Sequence, residues 1–511
     1  MVDTEKATAG DMAMQLEKLG PKEKADAIAA NFVRPTPEEE RKVIRKLDRR
    51  LLPLVFILYS LAVLDRSNLG NARLAGLEDD IDLKGTKYQW LGTIFYISYI
   101  LFQWVQMGWK QFPAHIWCAA VVMVWGFIAT IQAATTNWAG LMTCRFFLAI
   151  AEAAFGPGVP LYLSYFYPRE SVGFRHGVFI SGAAAANAYG GLLAYGITQI
   201  RGSIAPWQVR RVVNTPLEYQ IPDILQILFI IEGLPTCVFS IFAFYLLPDG
   251  ITSAKFLNER EKEVALHFVA RNQRLDVGKQ QGLRFKEVFE GIRDPKSWIP
   301  GLCYFGCNVS YASLPLFVPT IISEMGTWNK AASNGLSAPP YLLCFFYIIT
   351  VCWLSDHFKM RGPFCALSAT IGGVGFIILA TATTTAVRYF AIFMAVQIFA
   401  SVALLLSWTA NIHATESKRA GGYVVLATVG QCGPLLGTNI FPPTEKPYFR
   451  KGMAISAAFC LLVAVLSGVL SCWLIYENKK MAREGVPEVE EFEDTSIARE
   501  EGVHVRHRYI W

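Results

Sequence analysis

Charged side chains are scarce in this sequence. Of its 511 residues, 17% are charged and 53% are hydrophobic, whereas soluble domains carry about 25% charged residues. The scarcity is concentrated in long apolar stretches close to the roughly 20-residue length that a helix needs to cross a bilayer. The alternating polarity of membrane β-barrel strands is lacking. The composition therefore excludes a soluble enzyme and predicts an all-α integral membrane protein, because helices satisfy their own backbone groups in lipid.

Several motifs of catalysis and metal binding are also missing. The sequence has no P-loop lysine motif of an ATP-driven pump, no GxSxG elbow of a hydrolase, and no CxxC pair among its eleven cysteines. The cysteines lie almost entirely in apolar runs, where they serve as small packing residues. We interpret His413 and Glu416 as residues of a solvated loop rather than metal ligands. We therefore expect a chain that is not an enzyme and holds no metal and no cofactor.

The basic residues indicate topology rather than nucleic-acid binding. The net charge is +6, and the Lys and Arg residues lie mostly beside apolar runs instead of forming one groove. They fall on one side of the membrane if the runs alternate in direction, and that side is predicted to be the cytosol, with both termini. The polar residues 1–46 contain no cleavable signal peptide and are predicted to be a disordered cytosolic arm.

Twelve apolar runs predict twelve transmembrane helices in two bundles of six. A hydrophilic segment separates the sixth run from the seventh, which is typical of transporters built from two repeats around a central site. It contains 258–263 (NEREKE), a candidate amphipathic surface helix. The predicted spans are 51–69, 88–107, 115–134, 138–164, 176–200, 223–247, 296–322, 335–355, 363–382, 386–410, 421–441 and 452–476. The predicted units are the arm 1–46, the N-terminal bundle 47–247, the central loop 248–295, the C-terminal bundle 296–476 and the cytosolic tail 477–511.

Charged residues inside the apolar runs are the first candidates for function, because each costs about 2.5 kcal/mol or more in a bilayer. Arg145 and Glu152 are seven residues apart, nearly two helical turns, and so share one helix face. Proton-coupled anion transport needs at least a cation that binds the anionic substrate and, beside it, a carboxylate that exchanges a proton. The alternative is that these charges pair and brace the bundle. Asp65 and Arg66 end the first predicted span, where an interfacial role is the alternative.

A second set of charges lies between the eighth and ninth runs. There Asp356 stands at a helix end and is followed by Lys359 and Arg361 in a tight turn. Such an arrangement can form a charge latch that one conformation makes and another breaks. Taken alone, it is also what an ordinary basic cytosolic loop looks like.

These residues together resemble the major facilitator superfamily, and within it the fungal allantoate-permease branch of the anion:cation symporters. The resemblance runs from about 47 to 478. Its most specific segments are 64–72 (LDRSNLGNA), 145–170 (beginning RFFLAIAE and ending YPRE), 229–235 (FIIEGLP) and 408–411 (WTAN).

The resemblance implies a proton-coupled carrier of small organic anions, such as vitamins and ureides, in the plasma membrane. It assigns Arg66 to the substrate carboxylate, and Asp65 and Glu152 to proton coupling. Arg145 and Asn68 join Arg66 as substrate-binding candidates. Asp356 and Arg361 match the superfamily's conformational latch.

The sequence leaves the direction of transport and the substrate open. An exporter of a fungal secondary metabolite would have the same fold, and a ligand-sensing receptor built on it is a third alternative. A vacuolar membrane is the alternative to the plasma membrane. We expect a monomer that uses the proton gradient as its energy source and binds no nucleic acid.

One insertion departs from the resemblance. Residues 209–226 stand between Trp207-Gln208 and the FIIEGLP helix, where relatives connect the two almost directly, and Arg210 and Arg211 lie on the predicted outside. We hypothesise that 209–226 is an unspliced intron of the gene model. A cDNA that encodes the segment would instead make it an external loop.

Overall fold

The computed structural model describes residues 35–72, 77, 81, 83, 86–168, 171–199, 224–273, 285–326, 328, 330–413, 416–484 and 509–510. Within these residues all regular structure is helical, which confirms the all-α fold class. The hypothesised intron lies largely outside them, and only its last residues, 224–226, are described, at the start of a helix.

Among the described residues, twelve helical segments follow one another along the chain, apart from two connecting helices between the sixth and the seventh, and five of the twelve are built from two consecutive helices. They are α1 (Pro37–Ala72), α2 (Lys87–Leu101, continued by Gln103–Met107), α3 (Ala114–Ile131), α4 (Trp138–Phe155 and Gly158–Ser164), α5 (Val172–Gln199), α6 (Ile224–Leu246), α7 (Pro295–Ser323), α8 (Lys330–Leu336 and Ala338–His357), α9 (Gly362–Thr381), α10 (Thr385–Ala395 and Ile398–Ile412), α11 (Glu416–Gly430 and Gly433–Gly437) and α12 (Arg450–Arg483). Each coincides with one predicted span.

Eight of the described helices are long and apolar enough to cross a bilayer. They are α3, α4, α5, α7, α8, α9, α10 and α12. The segments α1, α2, α6 and α11 are not among these eight. Their apolar parts still match the predicted spans, since long runs of apolar residues are the strongest structural signal in a sequence of this kind.

The helices form two groups, α1–α6 and α7–α12, called here the N-half and the C-half. Within the N-half α5 packs on α1, α6 on α3 and α4 on α2. Within the C-half α9 packs on α12, and α7 on α11 and α12. The halves meet where α5 contacts α8 and α10, and where α1 contacts α7. A site between the halves is therefore bounded mainly by α1, α2, α5, α7, α8 and α10.

The first helix is longer than the sequence predicts. It begins at Pro37, inside the segment predicted as a disordered arm, and ends at Ala72. Asp65 and Arg66 are consequently almost two turns inside α1, and their prediction as helix-end residues is wrong. The GlyProGly segment that divides α4 lies between Phe155 and Gly158, where proline removes a backbone donor and glycine permits a bend.

We call the side of the bundle where α1 begins and α12 ends the terminal face. Two connecting helices cover it. Glu259–Gln273 contacts the start of α1, where Lys46 pairs with Glu261 at 2.6 Å. Phe285–Arg293 packs on α11, and Glu290 pairs with Lys418 at 3.1 Å. The predicted surface helix of the central loop is therefore present and tethered.

His413 is not a residue of a solvated loop. It is 4% exposed and its Nε2 lies 2.8 Å from the hydroxyl of Ser297 at the start of α7. Because the chain turns back against α7 directly after α10 ends at Ile412, the imidazole is enclosed. Burial lowers the pKa of His413, although the nearby Asp294 carboxylate acts in the opposite direction.

Candidate functional site

A small cavity lies between the two halves at the middle of the bundle. Its volume is about 30 Å³, enough for a water molecule or two and roughly a tenth of the smallest ordinary ligand pocket. Both halves contribute to its wall, and the two positive charges of the site candidates face it. The wall of the cavity includes Arg66, Phe95, Tyr96 and Arg145 from the N-half and Tyr311 and Pro315 from the C-half.

An ion pair joins α1 to α4 beside this cavity. Arg66 Nε donates to Glu152 Oε2, across 86 residues of sequence. Glu152 is fully buried, whereas the Arg66 side chain is 18% exposed. Within the described residues, Glu152 Oε1 makes no hydrogen bond. The pair therefore places a cation at the cavity wall and a half-satisfied carboxylate directly behind it.

Two aromatic rings of α2 hold the Arg66 guanidinium in place. Its central carbon lies 5.2 Å from the ring centroid of Phe95 and 5.2 Å from that of Tyr99. Both distances fall within the range of cation–π attraction. The guanidinium is therefore held from the side by the two rings and from behind by Glu152, at the wall of the cavity.

Glu152 pairs with Arg66 and not with Arg145, the partner that the alternative interpretation of the sequence gave it. Arg145 is on the same helix, but its Nη1 donates to the backbone carbonyl of Asp65 at 3.1 Å, while Glu152 pairs with Arg66. Arg145 and Asp65 are both buried, at 2% and 4% exposure. Arg145 thus ties α4 to α1 and also lines the cavity.

Asn68 is the one substrate-binding candidate that does not line the cavity. It is fully buried, and in the described part of the chain its side-chain amide makes no hydrogen bond. Leaving a buried amide unsatisfied costs about 1–3 kcal/mol. The site candidates of α1 therefore divide between Arg66, at the cavity wall, and Asp65 and Asn68, inside the helix packing.

A pair of tyrosines bridges the two halves at the level of the site. The hydroxyls of Tyr59 on α1 and Tyr311 on α7 are 2.8 Å apart, and Tyr311 lines the cavity. Neither these two tyrosines nor Phe95, Tyr96 and Tyr99 were predicted as site residues, because they carry no charge that marks them within an apolar run. The signal that could have revealed the α2 residues is their spacing, since positions 95 and 99 lie one helical turn apart on one face.

The halves also touch near both ends of the bundle. At the terminal face Asp356 pairs with Arg361, and Asp356 Oδ2 accepts a hydrogen bond of 2.6 Å from the Phe174 backbone N–H at the start of α5. On the opposite face Asn439 Nδ2 donates to the Thr93 hydroxyl at 3.1 Å. Of the predicted latch residues, Asp356 therefore joins the halves, and Arg361 pairs with it. Lys359 is exposed in the turn, where its φ is 53°.

The arrangement can bind an anion and respond to a proton. A guanidinium at the wall of a cavity can recognise a carboxylate through paired hydrogen bonds. The carboxylate behind it competes for the same guanidinium, so protonation of one changes what the other can bind. Among the described residues no group of three metal-ligating side chains occurs.

The sequence matches one broad family of proteins. The Major Facilitator Superfamily model matches residues 55–438. The chain is 31% identical over 463 residues to the major facilitator-type transporter hxnP of Emericella nidulans, covering 88% of each chain. It is 30% identical over 453 residues to the MFS-type transporter efuF of Hormonema carpetanum, again covering 88% of each. It is 29% identical over 428 residues to the high-affinity nicotinic acid transporter of Saccharomyces cerevisiae, covering 83% of this chain and 76% of that one.

Solved structures resemble the fold at low sequence identity. The proton:xylose symporter XylE superimposes with a TM-score of 0.60 at 14% identity, over 82% of this chain and 95% of that one. A bacterial homologue of the human lysosomal transporter Spinster gives a TM-score of 0.58 at 14% identity, over 82% of this chain and 96% of that one.

Proposed function

Since the chain belongs to the major facilitator superfamily and is a membrane transporter rather than an enzyme, we propose that it couples the uptake of a small organic carboxylate to a proton. The observation that carries the proposal is the Arg66–Glu152 ion pair at the wall of the central cavity. Within the superfamily we place the chain in the allantoate-permease branch, on the segments 64–72 and 145–170.

The ion pair gives a physical reason for coupling. While Glu152 is ionised it forms an ion pair with Arg66, so a substrate carboxylate must compete with Glu152 for the same guanidinium. Protonation of Glu152 removes its negative charge and leaves the Arg66 guanidinium available to the substrate. Binding of the proton and binding of the anion therefore favour each other, and by linkage the preference is reciprocal. Asp65, buried one residue before Arg66, is a second proton-linked carboxylate.

The aromatic lining favours a substrate that carries a flat ring. Phe95, Tyr96 and Tyr311 line the cavity together with Arg66, and such rings stack on a planar apolar group. The high-affinity nicotinic acid transporter of Saccharomyces cerevisiae is a relative, and nicotinic acid has this form. We propose a ring carboxylate of that class. Alternating access would carry it from the outside to the cytosol, with both termini of the chain in the cytosol and the protein a monomer in the plasma membrane.

The proposal is tested by transport. Yeast that lacks its own related permeases would express the chain, and uptake of radiolabelled nicotinate, other ring carboxylates and aliphatic carboxylates would be measured at pH 5 and pH 7. We expect several-fold greater accumulation at pH 5, abolished by a protonophore. Loss of label from preloaded cells, without accumulation, would support the exporter instead.

A close approach of α1 to α7 gives a further prediction. A Cβ atom at Gly70 would lie 2.8 Å from the Pro315 carbonyl oxygen and 2.9 Å from that of Leu316, and backbone atoms cannot easily yield. We expect Gly70→Ala to hold the halves apart on the opposite face and to slow uptake roughly tenfold, in line with the cost of overpacking. Initial uptake rates at matched membrane expression measure this.

The matched control is Gly196→Ala, because a Cβ at Gly196 meets no atom within 4 Å and the glycine is also in a helix. Its uptake rate should stay at the parental value. Equal rates for both variants would mean that the contact of α1 with α7 is unimportant for the transport cycle.

A further inference from the structure

Residues 509 and 510, well beyond the end of α12 at Arg483, lie against the terminal face of the C-half. We call Tyr509 and Ile510 the docked dipeptide. The side chain of Asn478, near the end of α12, hydrogen-bonds both the backbone N–H and the backbone carbonyl of Tyr509. Its Nδ2 donates to the Tyr509 carbonyl at 2.9 Å, and its Oδ1 accepts from the Tyr509 N–H at 3.0 Å. This side chain binds the dipeptide through its main chain, as an adjacent strand would.

Two further helices supply the rest of the site. Lys296, at the start of α7, lies 3.1 Å from the Tyr509 hydroxyl and 4.7 Å from the centre of its ring. Trp408 on α10 is fully buried and donates its indole N–H to the Ile510 carbonyl at 3.0 Å. A buried indole needs an acceptor, and the dipeptide provides it.

We propose that Lys296, Trp408 and Asn478 form a peptide-binding site for the docked dipeptide, and that its occupancy ties α7, α10 and α12 together. Each of the three helices contributes one side chain, and each bond ends on one of two adjacent residues. The dipeptide is thus a strap that bridges the terminal-face ends of α7, α10 and α12. Its release would break the hydrogen bonds that Trp408 and Asn478 make to it.

The position of Trp408 gives the strap a consequence for the other half. Its neighbour Ser407 has its hydroxyl 3.2 Å from Nδ1 of His176 on α5. The contact with the dipeptide and the contact with the N-half therefore stand on adjacent residues of α10. A docked dipeptide restrains the helix that touches the N-half, and an undocked one leaves that end of α10 freer to move.

The test uses the purified full chain in detergent. Chymotrypsin cuts after tyrosine, but it must first draw the bond between Tyr509 and Ile510 out of the site, so the cutting rate reports undocking. Asn478→Leu keeps the size of the side chain and removes both hydrogen bonds. We expect this bond to be cut about tenfold faster than in the parent. Hydrogen exchange at the Ile398–Ile412 part of α10 should rise with it, while α3 stays unchanged.

Two further variants make the outcome decisive. Lys479→Gln alters the next, exposed residue of α12 and should leave both rates at the parental value. Tyr509→Phe removes only the hydroxyl that Lys296 binds, outside every membrane helix, and should speed cutting by a smaller factor while preserving the cut site. Unchanged cutting in both Asn478→Leu and Tyr509→Phe would overturn the site. Faster cutting with unchanged exchange in α10 would overturn the strap.

Discussion

Replacing Arg66 by lysine should nearly abolish uptake of a carboxylate substrate in a chain that still folds. Lysine keeps the positive charge, and so keeps a counterion for the buried Glu152. It lacks the planar fork that binds a carboxylate through two bonds, and it cannot stack between Phe95 and Tyr99 in the same way. The lost charge-assisted bond predicts a rise in KM of about 10–100-fold, measured by uptake at several substrate concentrations.

Arg388→Lys is the matched control for this substitution. Arg388 is also buried, at 2% exposure, and also stacks on an aromatic ring, with 4.9 Å between its guanidinium carbon and the centroid of Tyr448. It does not line the cavity. Its KM should therefore be close to the parental value. A parental KM in Arg66→Lys would remove Arg66 from the substrate site.

The second large effect is expected from Glu152→Gln, which should separate binding from accumulation. Glutamine cannot take up and release a proton, and as a neutral group it no longer competes for Arg66. Substrate binding should persist and lose its dependence on pH, and exchange of labelled for unlabelled substrate should continue. Net accumulation should fall by at least about tenfold, the factor that one pH unit of driving force supplies.

A stability measurement and a control variant distinguish a role of Glu152 in proton coupling from a role in holding the helices together. Removing one partner of a buried ion pair can destabilise a protein by about 3–5 kcal/mol, so thermal unfolding of the purified variant is measured beside transport. Glu324→Gln removes another carboxylate that pairs with a basic side chain, Lys446 at 2.8 Å, away from the cavity. It should accumulate substrate normally. Loss of exchange as well as accumulation in folded Glu152→Gln would indicate bracing instead of coupling.

The sequence predicts the helices far better than the contacts between them. Each predicted span coincides with a helical segment, because apolar length is a local property that every stretch carries in itself. The division of α4 near Pro157 was equally predictable from proline and glycine. In contrast, the start of α1 at Pro37 was missed, because residues 37–50 are mostly charged and do not form an apolar run of their own.

The candidate site shows the same limit at the level of single side chains. The four charged candidates of the central site could be recognised as costly residues in apolar runs. Their pairing could not, because periodicity relates Glu152 only to neighbours on its own helix, such as Arg145. The observed partner, Arg66, is 86 residues away. The Tyr59–Tyr311 contact between halves and the burial of His413 likewise depend on how helices pack, which residue spacing within one helix does not encode.

The four charges at the site have an electrical consequence. Arg66 and Arg145 carry two positive charges, and with both carboxylates ionised Asp65 and Glu152 carry two negative ones, so the empty site is neutral. Adding one proton together with one monovalent anion leaves that sum at zero. A membrane voltage does work of about 2.3 kcal/mol per 100 mV only on charge that actually crosses. On this stoichiometry neither the loaded nor the empty carrier moves net charge, so a cell could fill itself with substrate from an acidic medium without depolarising its membrane.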